Sequence, residues 1–248
     1  MNCYRLLLAY DGTPYHGWQQ QPDSPTVAGV LEEKFKTLFG HPISLLGASR
    51  TDAGVHALGQ VARFYSPLAI ESARWASAWN GVLPTEIKIR RIDRVADDFH
   101  PHRGVALKTY QYHIFTRRPL PFVARYGYFY PYRLDTHKLQ GALARFVGTH
   151  NFWSFRVEGG AAVSDVCTVM AADYRCWDRF DLLQISFTGN RFLYHMVRRM
   201  MGAALAIAAS PRRSIDEISD ALGQQTPRDH FPTAPAHGLV LRRVVYNK

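Results

Sequence analysis

The sequence predicts an α+β protein made of two halves, each with a mainly antiparallel sheet. Three observations carry that prediction. From Cys3 to Val95 the apolar pattern runs strand, helix, strand, strand, helix, strand, with turn residues at the joints. From Val105 to Tyr246 the same order returns without an obvious sequence repeat. Between them lies Asp97-Asp98-Phe99-His100-Pro101-His102, a polar link. The order β-α-β-β-α-β is the split unit of a ferredoxin-like half. An N-terminal half over residues 1–102 and a C-terminal half over 103–248 are therefore expected.

Cys3 to Tyr10 reads as a buried strand stopped by Asp11-Gly12. A loop rich in aromatic and amide groups follows, from Thr13 to Pro22. Val27, Val30, Leu31, Phe35 and Leu38 then recur at helical spacing, with Ser24-Pro25-Thr26 as the start and Gly40 as the stop. Two short apolar runs, Ile43 to Ala48 and Gln60 to Tyr65, flank the stretch Ser49 to Ala57. A helix is expected from Ser72 to Val82, closed by Leu83-Pro84, and a strand through Ile87, Ile89 and Val95. In the second half a strand from Val105 to Thr116 places Tyr110, Tyr112 and Ile114 on one face. A short strand at Tyr126 to Tyr130 precedes a helix from Thr136 to Val147, with Leu139, Leu143 and Phe146 inward and Gly148 as stop. Strands at Val166 to Cys176 and Leu182 to Thr188 flank a turn at Trp177-Asp178-Arg179. A helix from Phe192 to Ala209 carries Arg198 and Arg199. Ser214-Ile215-Asp216-Glu217 is a capping box for a short helix with Ile218 and Leu222 as its inner face, and Leu239 to Tyr246 is the closing strand.

Composition narrows the function classes. With 248 residues, 47% hydrophobic, the chain can build a normal core. Thirty Lys and Arg against twenty Asp and Glu give a formal charge of +10, accompanied by 13% aromatic residues. Phosphates attract such charge and bases stack on such rings, so these totals suit nucleic acid, while the charge alone would equally suit an anionic membrane or a solubilising surface. Three cysteines form neither an even disulfide set nor a Cys-x-x-Cys pair, which points to a reducing compartment and no structural zinc. The N-terminus lacks the layout of a secretory signal, and the longest apolar run, Met200 to Ala209, is about half of the ~20 residues a membrane span requires. A cytoplasmic protein is expected.

The histidines are scattered, and neither a His-Glu-x-x-His pattern nor a Gly-rich phosphate loop occurs. Chemistry must then come from ordinary side chains, most economically from a carboxylate acting as nucleophile or base. Asp52, Asp11, Asp97 and Asp98 are the candidates by position. By itself, an Asp before Ala-Gly reads as a turn residue bonding its own backbone.

The run Arg50-Thr51-Asp52-Ala53-Gly54-Val55-His56-Ala57 closely resembles the active-site motif of the bacterial tRNA pseudouridine synthase I family. Further landmarks follow in order: Tyr10-Asp11-Gly12, Gly17-Trp18-Gln19, Pro25-Thr26-Val27, Asp97 to His100 and Lys108-Thr109-Tyr110-Gln111-Tyr112. Phe146 to Phe152, Ser154-Phe155-Arg156, Gly189 to Arg198, and Thr233-Ala234-Pro235 with Gly238-Leu239 complete a likeness spanning nearly the whole chain. The resemblance implies the pseudouridine synthase fold, with its two halves forming a central basic cleft. It implies that Asp52 is the catalytic aspartate, Tyr110 the active-site tyrosine and Arg198 the basic partner of the aspartate, with Arg50 helping to hold the target base out of the helix. It further implies isomerisation of uridine to pseudouridine at positions 38, 39 and 40 of the tRNA anticodon arm, by a homodimer without cofactor or metal. His56 stands between a reacting and a loop-supporting role.

Three positions depart from the family pattern. Ser49 stands where glycine is common, Asn151 where aspartate is common, and Arg199 where asparagine often follows the arginine. They bear on loop geometry, local pairing and substrate fit, and none removes a catalytic group. Two other readings remain at this level: a tRNA-binding protein without catalysis, and an N-glycosidic-bond hydrolase pairing Asp52 with Asp11.

Overall fold

The computed structural model describes residues 1–69, 71–157, 164–223 and 230–247. In chain order the first elements are β1 (Asn2–Tyr10), α1 (Val27–Phe39), β2 (Leu46–Gly47), β3 (His56–Ser66), α2 (Ser72–Asn80) and β4 (Ile87–Val95). There follow β5 (Val105–Phe115), β6 (Tyr128–Phe129), α3 (Thr136–Arg145), β7 (Gly148–Asn151), β8 (Val166–Trp177), β9 (Leu182–Gly189), α4 (Met196–Ala209), α5 (Asp216–Gly223) and β10 (Leu239–Tyr246). The fold is α+β and its strand pairs are mostly antiparallel. Two compact units emerge, Met1–Ala106 with Val240–Lys248 and Leu107–Leu239.

In the first unit β1 lies between β3 and β4, antiparallel to both, and β2 adds antiparallel to β3. The final strand β10 pairs parallel with the start of β3, Val240 opposite His56 and Leu241 opposite Ala57. Alternation along β1 buries Tyr4, Leu6, Leu8 and Tyr10 together. Against them packs α1, whose Thr26 side chain accepts from Gly29 N–H and whose end at Gly40 turns with φ 76°. That left-handed turn is why glycine stands there. Phe35 on the inner face of α1 meets Phe64, Trp75 and Trp79 edge-on at 4.8–5.6 Å. Each such fully buried ring contributes about 1.5–3 kcal/mol by leaving water. Asn80 at the end of α2 clamps β4, its amide donating to Ile89 C=O and accepting from Ile89 N–H at 2.8 Å each.

In the second unit β5 pairs antiparallel with β9 from Lys108 opposite Gly189 to Phe115 opposite Leu182. β9 pairs with β8 and β8 with β7, all antiparallel, while the short β6 runs parallel to the end of β5. Helices α3 and α4 cover this sheet with Leu139, Leu143, Met196, Met200 and Ile207 buried. Ser214 and Glu217 close the expected capping box at α5: Glu217 Oε1 accepts from Ser214 N–H at 2.9 Å, and Ser214 Oγ accepts from Asp216 N–H at 3.2 Å.

Three local expectations change. The helix expected from Phe192 begins only at Met196, because His195 takes a left-handed φ of 60° that no helical turn accommodates. The strand expected over Ile43 to Ala48 narrows to Leu46–Gly47. Gly148, expected only as a helix stop, opens strand β7, held to β8 by the Thr149–Thr168 hydroxyl pair at 2.8 Å. Among the described residues, no helix is long and apolar enough to cross a membrane.

Candidate active site

Asp52 sits in the connection between β2 and β3, half-buried, in a loop fixed residue by residue. Gln60 on β3 is fully buried and grips Ser49 twice, donating to its C=O at 2.7 Å and accepting from its N–H at 3.2 Å. The buried Thr51 hydroxyl bonds the Tyr10 hydroxyl at 2.7 Å, and Thr51 C=O accepts from Trp18 N–H at 3.0 Å. Beyond Asp52, Gly54 N–H donates to Tyr15 C=O and Val55 N–H closes a turn onto Asp52 C=O. Two glycines permit this crowding. A Cβ on Gly12 would lie 2.1 Å from Val55 O, and Gly17, at φ 94°, passes so close that a Cβ would lie 2.7 Å from Thr51 O. The loop thus holds its carboxylate on a pre-set backbone, which lowers the cost of aiming it.

The neighbouring candidates divide sharply. Arg50 is exposed between the buried Ser49 and Thr51, so its guanidinium points outward from a fixed base. Asp11 Oδ1 accepts from Thr13 N–H at 2.9 Å and from Thr13 Oγ1 at 2.6 Å, an Asx turn, and lies 3.1 Å from His56 Nδ1. His56 is buried, and the same Nδ1 accepts from Gly12 N–H at 3.1 Å. The Gly12 N–H bond to His56 therefore ties the end of β1 to the start of β3. Asp97 and Asp98 are exposed.

In the second unit Tyr110 is buried on β5, and Phe192 meets its ring edge-on at 5.3 Å. Two residues along the same face, Tyr112 is wholly buried and its hydroxyl donates to Pro235 C=O at 2.8 Å. Burial pushes that hydroxyl's pKa upward, so it stays a donor. Gly238 lets the ring in, since a Cβ there would lie 2.5 Å from Tyr112 Cζ. Arg198, in the first turn of α4, donates from Nε to Ala234 C=O at 2.9 Å, places Nη1 3.3 Å from His195 Nε2, and receives Ala234 N–H on its own C=O at 3.1 Å. Thr233-Ala234-Pro235 thus ties Arg198 and Tyr112 into one frame.

Lys108 precedes Tyr110 by two residues on the same face, and burial pulls its ammonium down to about 8. Sequence reading passed over it as a site residue; the signal was a lysine on the apolar phase of an alternating strand. Because the unfolded chain holds that proton to about 10.5, burial of the charge costs most below pH ~8, and the cost is relieved as pH rises from there to ~10.5. Wild-type stability relative to Lys108→Met should rise by about 1–3 kcal/mol between pH ~7.5 and ~10, discounted for partial exposure. Urea titrations at both pH values check this; a flat difference would mean a solvated ammonium. The three departures also find a physical account. Ser49 is bound through its backbone groups by Gln60, Asn151 Oδ1 accepts from Trp153 N–H at 3.0 Å as an aspartate would, and the buried Arg199 donates to Phe231 C=O at 3.3 Å. Among the described residues, no three His, Cys, Asp or Glu side chains gather as they would around a metal ion.

Comparison with known proteins gives one answer. A family model described as tRNA pseudouridine synthase matches residues 7–102 and 142–247. The tRNA pseudouridine synthase A of Acetivibrio thermocellus is 36% identical over 247 residues, covering 99% of this chain and all of that protein. That of Lacticaseibacillus casei is 38% identical over 251 residues, with 99% and 100% covered, and that of Bacillus licheniformis 37% over 246, with 98% of each.

Proposed function

The chain belongs to the tRNA pseudouridine synthase family, and from that premise we propose that Asp52 drives the isomerisation of uridine to pseudouridine in the anticodon arm of tRNA, at positions 38, 39 and 40. The enzyme is an isomerase. In the reaction the N1–C1′ bond of the nucleotide breaks, the uracil turns over while held, and a C5–C1′ bond forms. C5 gives up its proton and N1 ends protonated, so atoms and electrons balance without a donor of either. No cofactor is required by that balance.

Asp52 must be ionised to act, either attacking C1′ or removing the 2′ hydrogen. Arg198 is its basic partner, favouring the charged carboxylate and fixing its direction. Tyr110 stacks on the uracil and its hydroxyl assists removal of the C5 proton. A paired base must first leave its stack at a cost of roughly a few kcal/mol, and Arg50, planar and exposed, braces the vacated space. Asp11 is committed to its Asx turn, which weighs against a hydrolase built on two carboxylates. We further read the halves as ferredoxin-like, supported in the first unit by the antiparallel order β4-β1-β3-β2, and the assembly as a cytoplasmic homodimer whose +10 charge meets RNA in a basic cleft.

The observation that carries the reading is the Asp52 loop itself, a half-buried carboxyl position on a backbone locked by Gln60, Thr51, Tyr10 and Trp18. Incubating unmodified tRNA with the protein and mapping carbodiimide-dependent reverse-transcription stops tests it. Stops at positions 38 to 40 are expected. No stops would leave only a binding protein, and released uracil would mean a hydrolase.

A further inference from the structure

One surface of the second unit plays no part in the chemistry above. Residues 117–133, Arg-Arg-Pro-Leu-Pro-Phe-Val-Ala-Arg-Tyr-Gly-Tyr-Phe-Tyr-Pro-Tyr-Arg, hold four arginines, six aromatic rings and no carboxylate. Seven consecutive residues, Leu120 to Tyr126, are exposed, with Leu120 72%, Phe122 87% and, further on, Tyr132 69% open to solvent. The loop is nonetheless ordered. Val123 and Ala124 N–H both donate to Leu120 C=O, and Tyr126 N–H donates to Val123 C=O. Its return is anchored where β6 pairs with the end of β5, and Tyr128, Tyr130 and Tyr132 meet edge to face at 5.8 and 5.4 Å. At its root, Thr116 donates through both N–H and Oγ1 to Asp181 C=O, and Arg117 lies 3.4 Å from the Asp181 carboxylate in an exposed ion pair. In the same turn Phe180 is 59% exposed under the Arg179 guanidinium.

Apolar rings held in water by an ordered backbone mark an interaction surface. Charge selects the partner. Packing of this loop against the same loop of a second copy would bring two such arginine sets together with no carboxylate in residues 117–133 to offset them, a repulsive arrangement. Rings interleaved with guanidinium groups suit unpaired bases and phosphates instead. We propose that this loop is a second RNA-binding surface, on which Phe122 and Tyr132 stack unpaired bases of the tRNA while Arg118 and Arg133 hold its phosphates. The inference rests on the reading of tRNA as substrate. From Tyr110 to Thr116 is six residues of strand, about 20 Å. That is the distance along β5 from Tyr110 to the root of the loop, while the Tyr128 ring lies 6.1 Å from His237, close to the Pro235 that holds Tyr112; the surface acts on affinity.

Fluorescence anisotropy with an unmodified tRNA transcript tests this in the full-length chain. Phe122→Ala combined with Tyr132→Ala should weaken binding by about tenfold or more, in line with lost base stacking, and raise KM in parallel. Phe122→Trp, which keeps a ring for stacking, should bind like wild type. Arg118→Ala with Arg133→Ala should flatten the slope of log affinity against log salt by roughly 1.5. Wild-type affinity and salt slope in these variants would overturn the proposal. So would a halving of molecular mass by light scattering in Phe122→Ala/Tyr132→Ala, which would make the loop a contact between copies. Were the wild-type chain to isomerise no uridine, the proposed function would fail, while the anisotropy series would still judge the surface by itself.

Discussion

Replacing Asp52 by Asn should leave tRNA binding intact and lower pseudouridine formation by about 10³-fold or more, the scale of losing a nucleophile or general base. The amide is nearly isosteric with the carboxylate, and the surrounding backbone has its own supports. Ser49 is held by Gln60, Thr51 by Tyr10 and Trp18, and the turn beyond by backbone bonds from Gly54 and Val55. The neutral amide offers no negative charge for attack at C1′ and no base for the 2′ hydrogen, so both routes stop together. Reverse-transcription mapping for product, with anisotropy for binding, reads the two effects separately. An Asp52→Asn variant that converts tRNA at the wild-type rate would remove Asp52 from the mechanism.

Gly202→Ala should destabilise the protein by about 3 kcal/mol and depress activity with it. Helix propensity alone points the other way, since alanine in a helix interior is favoured over glycine by about 1 kcal/mol. The sign is decided by space. A Cβ on Gly202 would lie 1.8 Å from Pro232 O and 2.8 Å from Pro232 C, so backbone would have to retreat from backbone. The segment displaced is the one that fixes Arg198, through Nε to Ala234 C=O and Ala234 N–H to Arg198 C=O. Urea denaturation should show a lower midpoint at unchanged slope. A variant as stable as wild type would mean that α4 and residues 232–234 are not in such close contact.

Local rules made much of the chain legible. Thr26 and Gly40 bound α1 as their cap chemistry requires, the period of two put Tyr110, Tyr112 and Ile114 on the buried face of β5, and Ser214 with Glu217 announced α5. What failed depended on partners distant in sequence. Nothing near His195 announces its left-handed backbone, and Gly148 could not declare itself a strand without β8 beside it. The same limit applied at the candidate site, where Gln60 is 11 residues from the Ser49 it grips and Tyr10 is 41 residues from Thr51.

Consecutive residues were enough for the α+β class, the family and the candidate carboxylate, because periodicity, caps and a motif are all written locally along the chain. Packing was needed to reveal what holds that carboxylate's loop, why Gly12, Gly17 and Gly202 must be glycine, and why Thr233-Ala234-Pro235 accompanies Arg198. Those are matters of close approach between segments tens of residues apart, and distance across a packed interior has no counterpart in the order of residues along a chain.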